Sequence, residues 1–189
     1  MPRARLSRDD WIDAGLTALL ESGPAGVTIE GIAVRLGATK GSGYWHFESR
    51  DALLTAVVQQ WRRAHTDAIR EYVARQPDPE ARLQRLFRLI FDRPTTTNEA
   101  RVLLADDPAL RAIVAEIAEE RIAYVATLVA QCGIPRALAR RRAETAYCAV
   151  VGHEALLAAT PGALHRGSRD NRLRARSIVA ALLAPITPA

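Results

Sequence analysis

Apolar residues along this chain recur every three to four positions, and the alternation of apolar and polar side chains that marks a strand is almost absent. The spacing i, i+3, i+4 and i+7 is typical of an amphipathic helix. Glycine, proline and capping residues separate the helical segments. We therefore predict an all-α protein. Beyond the N-terminal region, the predicted helices span residues 51–75, 80–91, 99–105, 108–131, 136–159 and 170–183.

The stretch from Thr28 to Phe47 predicts two short helices joined by a tight turn. An apolar stripe at helical spacing marks the first helix: Ile29, Ile32, Ala33 and Leu36. Thr28 is suited to cap this helix, whose exposed N-terminus is a candidate phosphate site. Gly37 can end it in a left-handed conformation, and Thr39 can cap the second helix. Two helices joined by a short turn that contains glycine indicate a helix-turn-helix.

The second helix carries donors and aromatic rings where a core helix would carry aliphatic side chains. These residues are Lys40, Ser42, Tyr44, Trp45 and His46, with Gly41 and Gly43 between them. Such a helix can lie in the major groove of DNA, and the alternative is a short solvated helix. We predict DNA contacts by Thr28, Thr39, Lys40, Ser42, Tyr44, Trp45, His46 and Arg50.

The predicted contacts differ in what they do. Lys40, together with Thr39, is placed for base edges or nearby phosphates, because lysine can donate to guanine. Tyr44 and His46 are expected to hold phosphates, which fixes the register on DNA but carries little sequence information. Two alternatives stay open for Trp45, a DNA contact or inward packing.

One pattern in the first third of the chain resembles the DNA-binding domain of the tetracycline-repressor (TetR) family of bacterial transcription regulators. It runs T-I-x-x-I-A-x-R-L-G-x-T-K-G-S-x-Y-W-H-F-x-S-R-D-A-L-L, within about Leu6 to Val58. The resemblance implies a three-helix DNA-binding domain followed by a helical bundle that binds a small-molecule effector. It also implies a homodimer on a palindromic operator, formed through the last two long helices, and favours repression over activation.

Gly43 departs from the pattern of that family, which usually carries an apolar side chain at this position. Glycine inside a helix costs about 1 kcal/mol relative to alanine. It also removes a side chain that could pack. We therefore expect a softer recognition helix than usual, one that orders on DNA.

The predicted domains are a helix-turn-helix DNA-binding domain over residues 1–50 and an effector-binding and dimerisation domain over residues 51–189. The predicted helix 51–75 is too long for the small domain alone, so we expect it to link the two. Apolar and amphipathic residues on helices expected to surround a cavity are candidates for an effector pocket, although a packed core is an equally open alternative for each. They are Trp61, His65, Phe87, Phe91, Arg121, Tyr124 and Tyr147.

The net charge of +5 is not the source of the DNA prediction. Residues 1–50 contain six basic and six acidic side chains, and the basic surplus lies in residues 136–176. Placement is more informative, because Lys40 is the only lysine of the chain.

Several other classes of function find little support in the sequence. No catalytic or cofactor motif is present, so we predict no enzyme and no cofactor. His153 and Glu154 are neighbours on different helix faces, which argues against a metal site. No apolar run reaches about 18 residues and no signal peptide is seen, so we expect a cytoplasmic protein with reduced Cys132 and Cys148. Two alternatives stay open: a DNA-binding dimer without an effector, and a helical enzyme or adaptor that has borrowed the fold.

Overall fold

The computed structural model describes residues 6–92, 99–160, 162, 164 and 167–185, and in these ranges the chain is helical without a strand. The all-α prediction is confirmed. A 3-10 turn lies at Pro24–Gly26 and a π-helical turn at Arg63–Asp67. The α-helices are α1 (Arg8–Ser22), α2 (Ile29–Leu36), α3 (Lys40–His46), α4 (Arg50–Arg62), α5 (Ala68–Ala74), α6 (Pro79–Asp92), α7 (Ala100–Leu103), α8 (Arg111–Gln131), α9 (Arg136–Ala159) and α10 (Ser168–Leu183).

The helix starts follow the capping signals of the sequence. At the start of α1, Ser7 N donates to Asp10 Oδ2 at 2.7 Å and Asp10 N donates to Ser7 Oγ at 3.2 Å. This reciprocal pair satisfies two backbone N–H groups that a helix N-terminus otherwise leaves unpaired. Hydrogen bonding by the Ser7 backbone and then by its side chain lowers the pKa of Asp10.

The described residues form two compact units. The first contains the residues up to His65 together with 99–114, and the second contains 66–92 and the residues from Ala115 onward. The predicted division after residue 50 concerns function and stays a prediction. The segment 99–114 lies in the first unit, where α7 contacts α1 and the side chains of Ala100, Val102 and Leu110 are buried.

The predicted helix 51–75 is helical in the structure and contains a π-helical turn that the sequence pattern did not indicate. The α-helical hydrogen-bond pattern stops at Arg62, and a π-helical turn precedes α5. Within the second unit, the side chain of Thr66 is 3% exposed and its hydroxyl accepts a hydrogen bond from Arg121 Nε at 3.0 Å. A π turn inserts one extra residue into a helix and rotates the residues that follow. Here it carries a polar side chain into a buried position where it has a donor.

The second unit has an apolar core built by four helices. α6 supplies Leu83, Phe87 and Phe91, which pack against small and branched residues of α8, α9 and α10. The buried contributors from those three helices are Leu128, Val129, Ala139, Ala146, Ala175, Val179 and Leu182. Alanines on α9 and α10 allow the helix backbones to approach closely.

Candidate nucleic-acid interface

The helix-turn-helix is fixed by local hydrogen bonds at both helix starts. Thr28 Oγ1 accepts from Gly31 N at 3.0 Å at the start of α2, and Thr39 Oγ1 accepts from Ser42 N at 3.2 Å at the start of α3. Gly37 ends α2 with a φ of 60°, the left-handed conformation that glycine adopts without a steric penalty. The two threonine hydroxyls predicted to contact DNA therefore act as caps in the free protein.

Gly43 is a point of close approach between helices, and the expectation that it removes a packing contact is wrong. Gly43 is buried, and a Cβ added there would lie 2.7 Å from Ile29 Cγ2 and 2.8 Å from Trp11 Cη2. Trp11 is fully buried and Ile29 is 1% exposed. The indole of α1 fills the space that an apolar side chain at position 43 would otherwise occupy, so α3 packs through its backbone.

The outer face of α3 presents aromatic rings beside a cation. Tyr44 is 46% exposed and Trp45 is 67% exposed, so Trp45, for which two alternatives stood open, points outward. The Lys40 ammonium lies 5.6 Å from the centroid of the Tyr44 ring. Exposed aromatic side chains next to a cation are the groups that stack on sugars and bases and bind phosphates.

Lys40 also forms an ion pair with Glu30 of α2, a partner that the sequence did not reveal. The hydrogen bond from Lys40 lowers the pKa of the Glu30 carboxyl, and the same contact raises the pKa of the Lys40 ammonium. Both groups are therefore charged across the neutral range.

His46 lies on the inner side of the candidate interface. Its ring is half-buried, and it makes an edge-on contact with Trp45 at a centroid distance of 4.7 Å. His46 Nε2 lies 3.1 Å from the carbonyl oxygen of Leu6. A carbonyl oxygen only accepts, so Nε2 donates. The ring therefore connects Leu6, two residues before α1, to the end of α3. The predicted phosphate contact of His46 stays a prediction. In the free protein, its Nε2 donor is used for the contact with Leu6.

Arg50 acts as an anchor inside the first unit. Its Nε donates to the carbonyl oxygen of Val27 at 3.2 Å, and a terminal nitrogen donates to the carbonyl oxygen of Pro24 at 2.8 Å. The other terminal nitrogen contacts Asp107 Oδ2 at 2.9 Å and Asp51 Oδ1 at 3.1 Å. These four hydrogen bonds join the start of α4, the α1–α2 connection and the segment before α8. A DNA contact by Arg50 therefore has little support from the geometry.

The residues predicted to line an effector pocket fall in both compact units. In the first unit Trp61 is fully buried and stacks on His65 at a centroid distance of 6.0 Å, and His65 Nδ1 lies 3.6 Å from Glu99 Oε1. In the second unit Phe87 belongs to the core, with Tyr124 packed against it. The alternative of a packed core therefore describes Trp61, Phe87 and Tyr124 well.

A groove on the second unit brings together residues that the sequence did not single out as a set. Its volume is about 400 Å³, and it lies between α6, α9 and α10. Phe91, one of the predicted pocket residues, lines it, and its ring contacts His153 edge-on at 5.1 Å. Asp170, Leu173 and Arg174 of α10 complete much of the lining. Sequence spacing alone could not join α6 to α9 and α10, because that neighbourhood depends on helix packing.

The described residues contain neither a cluster of metal ligands nor a helix suited to span a membrane. In those ranges no three or more His, Cys, Asp or Glu side chains are grouped so as to hold a metal ion. No helix in the described part of the chain combines the length and the apolar character needed to cross a membrane.

Residues 12–57, from α1 to α4, match the sequence profile described as bacterial regulatory proteins, tetR family. The tetracycline repressor protein class D of Escherichia coli is 39% identical over 64 residues, which are 34% of this chain and 29% of that repressor. The N-terminal part of the chain is therefore similar in sequence to tetR-family regulators. The match to the repressor spans less than a third of that protein. The family profile, over residues 12–57, includes the whole helix-turn-helix.

Solved structures extend the likeness in fold to nearly the whole chain. A transcriptional regulator from Rhodococcus sp. Rha1 aligns with a TM-score of 0.76 at 18% identity, over 97% of this chain and 100% of that one. The transcriptional regulator FadR of Bacillus subtilis, solved in complex with stearoyl-CoA, aligns with a TM-score of 0.69 at 15% identity, over 96% and 100% of the two chains. Both proteins are transcriptional regulators, and the similarity shows that this chain shares their fold.

Proposed function

We propose that this protein is a transcriptional regulator, most simply a repressor, that binds a palindromic DNA operator as a homodimer and is released by a small-molecule effector. The observation that carries the proposal is the outer face of α3. There Lys40, Tyr44 and Trp45 are exposed together on the second helix of a capped helix-turn-helix. The tetR-family match over residues 12–57 supports the same function.

In the proposed complex, α3 lies in the major groove. Lys40 reads a base edge, and Tyr44 and Trp45 contact the sugar-phosphate backbone and adjacent bases. One short helix contacts few base pairs, so a symmetric dimer would read two half-sites about 34 to 36 Å apart, or a multiple of that distance. The backbone N–H groups at the start of α2, near Thr28, are proposed to face a phosphate.

The proposed dimer forms through α9 and α10. Both helices keep small or apolar side chains on exposed positions, including Ala149, Leu156, Leu173 and Ala181. A groove of about 320 Å³ between the two helices is lined in part by Ala149 and Ala181. Ala181→Arg is expected to convert the dimer to a monomer, as measured by light scattering. Ala115→Arg, at an exposed position of α8, serves as its control.

The second unit is proposed to bind the effector. The first residues to test are the pocket candidates that lie in this unit: Phe87, Phe91, Arg121, Tyr124 and Tyr147. FadR of Bacillus subtilis was solved with stearoyl-CoA bound. The proposed mechanism is a population shift, in which the effector binds better to a conformation whose two recognition helices are wrongly spaced for the operator. The helical stretch from Asp51 to Arg75, with its π turn, would carry the change between the functional domains.

A repressor without an effector is the second candidate. The packed core of the second unit favours it, because Leu83, Val129 and Ala139 are fully buried there. The third class, an enzyme or adaptor, is less favoured, because the solved proteins of similar fold named above are transcriptional regulators. A cytoplasmic location follows from the proposed function, because the operator lies in the bacterial cytoplasm.

Selection of bound DNA from a random duplex pool tests the proposal, at a stated salt concentration because phosphate contacts make affinity depend on salt. We expect an inverted repeat. Lys40→Ala should then weaken binding to the repeat by roughly 5- to 150-fold, the range of one good base contact. Arg111→Ala is a matched control, since Arg111 is an exposed cation of the first unit that is also paired with an acid, Asp106. Equal binding by the two variants would remove Lys40 from the interface.

A further inference from the structure

Glu30 places a carboxylate on the surface that Lys40 and Tyr44 present. It lies in the first turn of α2, and its ion pair with Lys40 joins α2 to the first residue of α3. Both side chains are 56% exposed, so the pair stands in solvent and is open to a ligand. Carboxylate, ammonium and the exposed ring of Tyr44 thus lie together at one point of the candidate interface.

The ion pair between Glu30 and Lys40 is poorly explained by a contribution to folding stability. Exposed ion pairs contribute little to the free energy of folding, and salt screens them. A negative charge in the first turn of a helix is favourable, but Glu30 faces the surface proposed to meet DNA phosphates, which repel it. A carboxylate at this position lowers the affinity for any DNA sequence, unless a hydrogen-bond donor on the DNA contacts it.

The major groove offers that donor on one kind of base pair in particular. Guanine presents the acceptors N7 and O6, and the cytosine paired with it presents the N4 amino group, a donor that Glu and Asp accept from. A contacting ammonium and carboxylate have the complementary polarity, with a donor beside an acceptor. The ion pair also restrains the flexible stem of Lys40, which otherwise could swing to a phosphate.

We propose that Glu30 is a specificity-determining residue that, with Lys40, selects a G·C base pair in each half-site. Lys40 donates to guanine and Glu30 accepts from cytosine N4. This inference rests on the proposed function and names the base pair that the two side chains recognise. Glu30 contributes discrimination at one position of the operator and reduces binding to all other DNA.

Glu30→Gln tests the inference with the full-length protein. Selection from a random duplex pool gives the base preference at each position for the wild type and the variant. The amide keeps the shape of the side chain, removes its charge and can bind adenine through N6 and N7. At one position of each half-site, the preference of the variant for cytosine over the other bases should fall by roughly 5- to 150-fold. Adenine should become more frequent at that position. The affinity of the variant for unrelated DNA should rise.

Asp106→Asn is the matched control, because Asp106 is an exposed carboxylate of the same unit and its ion-pair partner is Arg111 of α8. It removes the same charge and should leave the base preference unchanged at every position. A wild-type inverted repeat whose profile is the same for Glu30→Gln would overturn the inference and leave the proposed function intact. A wild-type protein that selects no sequence would refute both.

Discussion

Replacing Gly43 by alanine should destabilise the protein relative to the same change at Gly41, two residues away on the same helix. Alanine is favoured over glycine in a helix by up to about 1 kcal/mol. At Gly41 the added Cβ would lie 3.9 Å from Thr39 Oγ1, an ordinary contact distance. Gly41→Ala therefore reports helix propensity without a clash.

At Gly43 the added Cβ meets two buried side chains. It would lie 2.7 Å from Ile29 Cγ2 and 2.8 Å from Trp11 Cζ3. Carbon atoms prefer separations of about 3.5 to 4.0 Å, so α3 or its neighbours must shift by roughly 0.7 to 1.3 Å. Overpacking of this kind costs about 1 to 3 kcal/mol, which is also the expected difference between the two variants. After the gain in propensity, Gly43→Ala should be destabilised by about 0 to 2 kcal/mol.

Urea denaturation at equilibrium measures both free energies of unfolding. Trp11→Phe removes the outer ring atoms of the indole, so it should offset part of the effect when combined with Gly43→Ala. The double variant should then be more stable than the sum of the single changes predicts. Operator affinity of Gly43→Ala should fall as well, because the shift moves the recognition helix. If Gly43→Ala proves as stable as Gly41→Ala, the close approach of Trp11 to α3 is refuted.

Two further predictions concern the first unit. Arg50→Gln should lower the free energy of unfolding by on the order of 2 kcal/mol, because it breaks charge-assisted hydrogen bonds to the Pro24 carbonyl and to Asp107. Weaker operator binding at unchanged stability would instead make Arg50 a DNA contact. Asp10→Asn should lower the melting temperature at neutral pH. The pKa of Asp10 lies below its usual value of 3.8, because Ser7 donates hydrogen bonds to its carboxylate. The stabilisation is thus present above pH 3.8 and is lost as the pH falls through the lowered pKa, where the melting curves of variant and wild type should converge. A difference in melting temperature between Asp10→Asn and the wild type that persists in strong acid would contradict this account.

The candidate interface was predictable in outline because its residues are close together in sequence. Lys40, Tyr44 and Trp45 share one short helix, and their chemistry alone indicated a polar ligand. Glu30 was missed as a partner of Lys40, since nothing in the spacing of residues 30 and 40 shows which way two side chains on different helices turn. The π turn was missed for a related reason. It places Thr66 where its hydroxyl accepts a hydrogen bond from Arg121 of α8, and the local sequence does not indicate that partner.

The sequence by itself determined the helices and their ends. Capping by Ser7, Thr28 and Thr39 and the left-handed turn at Gly37 involve backbone groups within about four residues, so a local pattern suffices to predict them. Apolar periodicity likewise determined which faces are buried.

Only the tertiary structure decided which residues meet across those faces. Trp11 fills the space over Gly43, and Arg50 binds Asp107, although both pairs are far apart in sequence. Packing at crystal-like density makes such contacts depend on the volume of every neighbour, and a sequence pattern records apolar character without recording which volumes fit together.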